Sequence, residues 1–241
     1  MKILAVDSSA KTAAVAILSG GALLASYTEE TGTHSTTLLP MIESMLSLAG
    51  LTYDDIDVYA AVVGPGSFTG VRIGVSAVKG LAFMKNVPCV GVSSLDAMAE
   101  NLRGVDGLIV PVIDARRDTV FTAIYRSSVD GTLEKLADDA QMSTDELCAL
   151  LAQYGGETVY FTGDAYGRMV THENRPSGTA VTPENLRIPS GYGVARAALE
   201  KWNATDDKSG FTDAALLPVY LKKSQAERER DERIASENGQ Q

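Results

Sequence analysis

KILAVD at residues 2–7 and TAAVAIL at residues 12–18, parted by Ser-Ser-Ala-Lys, decide the fold of this chain. The first is a short apolar run closed by an aspartate, and the second resumes with branched and small apolar residues. Two such runs around a small polar turn form a β-hairpin. LIVPVID at 108–114 closes on an aspartate again and leads through polar residues into an alternating strand at 119–125. With Asp7 laid on Asp114, Thr12 falls on Thr119, Ala16 on Ala123 and Ile17 on Ile124, so the chain reads as a duplicated α/β unit.

The elements around these hairpins follow from spacing and turn chemistry. A third strand is expected at 23–29 after the Gly20-Gly21 turn. A helix is expected over 33–49, with Leu38, Ile42, Met45 and Ala49 on one stripe, Leu39 and Leu46 beside it, Gly50 as its stop and Pro40 bending its first turns. Thr52 to Asp55 reads as a capping box, 58–63 as a buried strand, Gly64 to Gly66 as a tight turn and 69–85 as the next helix. Further on, 143–153 and 192–202 read as helices and 158–162 as a strand. The expected division is an N-terminal subdomain at 1–102, a smaller one at 103–221 and a charged tail at 222–241, where Ile234 stands alone in AERERDERIASENGQQ.

Composition narrows the function. In 241 residues, 45% are hydrophobic and 22% charged, which is globular usage. With 21 basic against 31 acidic residues the net charge is −10, so nucleic-acid phosphates are repelled at long range and any RNA contact is expected to come from a more basic partner. No stretch reaches the roughly 18 apolar residues of a membrane span, and MKILAVDSSAK lacks the apolar core of a leader, so the cytoplasm is the expected location. Cys89 and Cys148 stand apart without a CxxC and with no histidine near them in sequence, as buried thiols do.

Candidate chemistry is sparse. Gly64, Gly66, Ser67 and Thr69 lead into a helix and have the composition of a phosphate-binding turn. The stretch lacks the Gly-Lys-Ser/Thr ending of a Walker loop and the spaced glycines of a dinucleotide fingerprint, and a turn that only redirects the chain is its plainer reading. Asp7-Ser8-Ser9 suits either water-mediated hold of a divalent ion or, the reading preferred here, an acceptor that orders the hairpin. Asp7, Ser8, Ser9, Gly64 and Gly66 are the candidate cofactor-binding residues, yet the first hairpin carries Lys11 and little glycine, and the second carries Arg116-Arg117, so tight independent nucleotide binding is not expected. The two histidines, His34 and His172, are far apart, so no catalytic residue and no metal ligand is nominated.

The helix VRIGVSAVKGLAFM at 71–84 offers a positive clue. Its only longer polar side chains, Arg72, Ser76 and Lys79, share one narrow stripe, leaving more apolar circumference than one sheet needs. Burial entirely within the chain, against the 33–49 helix, explains part of this pattern; the residual apolar face of the two helices is expected to present an interface built from Leu38, Leu39, Met41, Ile42, Met45, Leu46, Val71, Ile73, Gly74, Ala77, Val78 and Leu81.

GPGSFTGVRIG at 64–74 resembles the signature of the TsaB (YeaZ) family, and AVDSS at 5–9, HSTTLLP at 34–40, GVSSL at 91–95, IDAR at 113–116 and PVYL at 218–221 follow in that family's order. The resemblance implies two actin-like (ribonuclease H-like) subdomains, the second reduced, similar to the larger TsaD. It further implies a non-catalytic scaffold and activator of TsaD in forming threonylcarbamoyladenosine beside the tRNA anticodon. A TsaE-like ATPase joins that assembly, tRNA is touched only indirectly, and the chain pairs with itself when TsaD is absent. No tightly bound cofactor is implied, while ATP or ADP at the shared interface is left open. TsaD-like proteins carry two helical histidines four apart, and here Ser94 and Met98 take those places, which argues against a hard catalytic metal. The competing expectations are an actin-like ATP-using enzyme or metallopeptidase-like hydrolase, and a nucleotide-sensing module unrelated to tRNA.

Overall fold

The computed structural model describes residues 1–30, 32–83 and 85–221, so the expected charged tail lies outside the described residues. The chain runs Lys2–Asp7 (β1), Thr12–Ser19 (β2), Ala22–Glu30 (β3), His34–Leu48 (α1), Val58–Gly64 (β4), Phe68–Phe83 (α2), Cys89–Ser93 (β5) and Ser94–Glu100 (α3). It then repeats as Gly107–Arg116 (β6), Thr119–Ser127 (β7), Leu133–Ser143 (β8), Thr144–Leu151 (α4), Val159–Thr162 (β9), Tyr166–Val170 (α5), Thr179–Ala180 (β10) and Gly191–Ala204 (α6). Strand order is β3-β2-β1-β4-β5 in one sheet and β8-β7-β6-β9-β10 in the other, so the two halves share one topology. In each, an antiparallel hairpin is extended by parallel strands, β4 beside β1 and β9 beside β6.

Alternation along β1 and β2 sends Leu4, Val6, Val15 and Ile17 toward α1 and α2, and Ile3, Ala5 and Leu18 to the opposite face. α1 continues through Pro40. The Thr52 capping box closes only a 3-10 turn at Tyr53–Asp55. The duplication holds in β2 and β7, where Ile17 and Ile124 both face outer helices. It slips in the first strands: a bulge between Asp114 and Arg116 puts Asp114 opposite Val120, on the outer face, whereas Asp7 opposite Ala14 faces inward.

Residues 1–102 and 103–221 do not pack as separate units. α6 lies on the inner face of the first sheet, with Val194, Ala195 and Ala198 against Ile3, Ala5, Val58 and Ala60. α3 reciprocates, since Leu95, Ala99 and Leu102 pack with Ile109, Ala123 and Tyr125 of the second sheet. Each half thereby lends its last helix to the other. Glycine makes the approach of α6 feasible, because a Cβ at Gly191 would sit 2.3 Å from the Val15 carbonyl carbon and one at Gly193 2.1 Å from the Ala97 oxygen. A polar clamp adds to this seam, with Asp96 at the start of α3 accepting from the Tyr125 hydroxyl at 2.6 Å and from Lys135 at 2.8 Å.

Candidate functional site

The β1–β2 turn and the turn before α2 meet and close on each other. The Ser67 N–H donates to the Ser9 carbonyl at 2.7 Å, and the Ser8 hydroxyl donates to the Gly70 carbonyl at 2.8 Å. Asp7 Oδ1 accepts from the Ser9 N–H at 2.8 Å and from its hydroxyl at 2.7 Å, which is the hairpin-ordering role. A Cβ at Gly66 would stand 2.6 Å from the Ser9 oxygen, and one at Gly64 2.4 Å from the Val219 oxygen. The small residues therefore admit backbone where a phosphate loop admits an anion. Asp7, Ser8, Ser9 and Gly64 are buried, and with Gly66 they line neither of the two depressions described below. Burial pushes the Asp7 carboxyl above the usual carboxylate range, against the lowering effect of the Ser9 hydrogen bonds. At Asp114 desolvation also pushes upward, but the Arg168 hydrogen bond at 2.7 Å and the Arg116 N–H at 2.9 Å hold its carboxyl below that range.

Ser94 and Met98 are buried on α3, with the Ser94 hydroxyl donating to the Pro65 carbonyl at 2.5 Å. Among the described residues no group of three or more His, Cys, Asp and Glu side chains is arranged to hold a metal ion. Sequence separation concealed one proximity, for Cys148 Sγ lies 3.5 Å from His172 Nδ1 and His172 Nε2 lies 3.3 Å from Asp145. This is not an activated nucleophile: burial and then Asp145 push the thiol up, and the same Nδ1 accepts the Asn174 N–H at 3.2 Å.

The expected helix interface requires a larger correction. Leu38, Met41, Ile42, Met45, Leu46, Val71, Gly74 and Val78 are buried within the chain, packed on the outer face of the first sheet. They are core because α1 and α2 bury their apolar stripes against β1, β2 and β4, and Gly74 is small because the Ser8 hydroxyl lies 2.5 Å from where its Cβ would be. Leu39 is 42% exposed, and Ile73, Ala77 and Leu81 are half-buried.

Leu39, Ile73 and Ala77 border two neighbouring depressions. An apolar one of about 550 Å³ is lined by Leu38, Leu39, Phe68, Ile73 and Ala77, with Arg72 and Ser76 at its side. A more polar one of about 570 Å³ is lined by Lys11, Glu30, His34, Ser35, Ser67 and Thr69. His34 Nε2 lies 2.7 Å from the Ala10 carbonyl, while its buried Nδ1 has no hydrogen-bond partner among the described residues. Phe68, 40% exposed, and the rim beyond it were missed from sequence, where only PVYL at 218–221 hinted that this later segment matters.

The same folding pattern occurs in solved structures. A Pseudomonas aeruginosa protein described as similar to peptidase YeaZ superposes with a TM-score of 0.76 at 26% identity, covering 92% of this chain and 99% of that one. Component A of the (R)-2-hydroxyglutaryl-CoA dehydratase of Acidaminococcus fermentans shares the fold, with a TM-score of 0.53 at 13% identity over 85% of this chain and 100% of that one. The duplicated, hairpin-led architecture is that of the actin-like ATPase fold. Residues 28–170 match the family model described as TsaD, tRNA N6-adenosine threonylcarbamoyltransferase. The tRNA threonylcarbamoyladenosine biosynthesis protein TsaB of Escherichia coli is 33% identical over 94% of this chain and 96% of its own length. TsaB of Bacillus subtilis is 37% identical over 64% of this chain and 67% of its own length. This chain belongs to the TsaB family of tRNA threonylcarbamoyladenosine biosynthesis proteins, itself related to TsaD.

Proposed function

We propose that the chain acts in the cytoplasm as a non-catalytic scaffold and activator of a TsaD-type threonylcarbamoyltransferase, docking through the accessible edge between α1 and α2. One observation carries this reading: the turn where an actin-like enzyme handles phosphate is filled by its own backbone, while Leu39, Phe68, Ile73 and Ala77 frame an apolar depression open to a second polypeptide. The partner then covers an already folded edge rather than the buried stripes of α1 and α2. By binding one conformation of the partner more tightly than another, the chain shifts the partner toward its competent state.

The net charge of −10 assigns tRNA contacts to other subunits. Without the partner, the same edge pairs with a second copy of the chain, and a TsaE-like ATPase joins the larger assembly. The polar depression beside the edge, with Lys11, His34 and Thr69, is the place for ATP or ADP enclosed between the partners.

Size-exclusion chromatography with light scattering of the chain mixed with a TsaD-type protein tests the docking. Ala77→Arg puts a charge at the half-buried rim and is expected to abolish the mixed complex with the melting temperature nearly unchanged. An intact complex overturns the proposed edge. ATP turnover by the isolated chain that disappears in Asp7→Ala overturns the non-catalytic role.

A further inference from the structure

Among the described residues Arg72 is the one formally charged side chain, His34 aside, bordering the apolar depression. Its guanidinium carbon lies 3.8 Å from the Phe68 ring centroid, and its Nε donates to the Tyr220 hydroxyl at 2.8 Å. The two rings stack with centroids 4.8 Å apart. Tyr220 reaches this place because the segment after α6 returns across the first sheet. There the Val219 N–H donates to the Val63 carbonyl at 2.7 Å and Lys79 Nζ donates to the Leu216 carbonyl at 3.4 Å. A guanidinium carries five N–H donors, and among the described residues the contacts of Arg72 are the two rings and the phenol, none of them a carboxylate. Cation–π contact and one hydrogen bond thus hold a long side chain still, leaving the terminal N–H groups without a partner among the described residues.

We infer that Arg72 is a preorganised anchor for a carboxylate on the docking face of the TsaD-type partner, and that Tyr220, 148 residues away in sequence, is its positioning residue. This rests on the docking reading above. The depression has apolar walls, so covering it excludes water around the pair and makes its geometry count for more than that of an open surface pair. A second copy of this chain brings no acidic residue among those lining the same depression, so the anchor favours the partner over self-association.

Binding of the full chain to a TsaD-type protein, measured by calorimetry at low and high salt, tests the anchor. Arg72→Met keeps an unbranched side chain without the charge, and the exposed position predicts an unchanged melting temperature. The affinity is expected to fall about tenfold at low salt, with the salt dependence flattened. Tyr220→Phe keeps the ring and loses the hydroxyl, and a loss of about threefold is expected. Arg72→Glu is expected to disrupt binding, with recovery when one surface carboxylate of the partner is changed to lysine. Wild-type affinity and salt dependence in Arg72→Met, or no recovery at any partner carboxylate, overturns the anchor. If Ala77→Arg abolishes the complex while Arg72→Met binds normally, only the anchor fails; if both bind normally, the docking edge itself is wrong.

Discussion

The two outer helix pairs come from the same repeat and have diverged in length. α1 and α2 cover the first sheet with 15 and 16 residues, whereas α4 and α5 cover the second with 8 and 5. The short pair is consumed by its own core, with Leu147, Cys148, Leu151 and Met169 buried and no large apolar side chain of α4 or α5 exposed. The long pair fills its core with Leu38, Ile42, Val71 and Val78 and still exposes Leu39, Leu48, Phe68 and Phe83. Since both pairs protect a five-stranded sheet, the extra length is not needed to cover one. That excess apolar surface beyond the demands of the core is what supports the docking edge proposed above.

Both sheets also depend on the exchanged helices, so the sharpest break of the comparison is Gly191→Val. With backbone 2.3 Å from the added Cβ, α6 must lift from β2, and a loss of roughly 3 kcal/mol or more is expected in chemical denaturation. Stability near that of wild type would show that α6 is not seated there. Next comes Ile42→Ala, which empties a fully buried site on the inner stripe of α1 and is expected to cost about 3 kcal/mol. Leu39→Ala, on the accessible edge of the same helix, is expected to stay within about 0.5 kcal/mol by the same measurement. Equal effects would erase the distinction between core and docking faces. In the short pair, Ser143→Ala removes the capping-box hydroxyl from the Glu146 N–H and is expected to cost about 1 kcal/mol, a large share for so brief a helix.

The smallest effect concerns Asp7 and has a definite sign. Its folded pKa is raised, so the folded state keeps the proton to higher pH than the unfolded chain. Stability contributed by this group therefore declines as pH rises from the ordinary value of 3.8 through the raised one. Asp7→Asn retains an acceptor for Ser9 and should remove that decline, gaining on wild type toward neutral pH in unfolding curves across the range. A parallel pair of curves would show that the burial of Asp7 has no energetic consequence.

Much of the architecture was legible because hairpin periodicity and apolar runs report directly on local backbone. β8 was not: Leu133 to Ser143 is rich in Leu, Glu, Lys, Ala and Asp, weak strand formers that are extended here by pairing with β7 at the sheet edge. The exchange of α3 and α6 escaped for a different reason, since helical periodicity says that a face is apolar and not which sheet it covers. Only the Gly191-x-Gly193 spacing hinted at a close approach. At the candidate site the same limit applied. Leu38 and Leu39 are neighbours with the same side chain, yet one is core and the other rim, a distinction that depends on the rotation of α1 over β2 and β3.

The lending of α6 also bears on how the protein is made. The inner face of the first sheet, with Ile3, Ala5, Val58 and Ala60, is complete early in synthesis but, beyond the Ala97 side of α3, lacks its main cover until residues 191–204 leave the ribosome. Through most of translation the nascent chain therefore displays a greasy, half-built layer, the kind of surface that molecular chaperones hold and that aggregates in their absence.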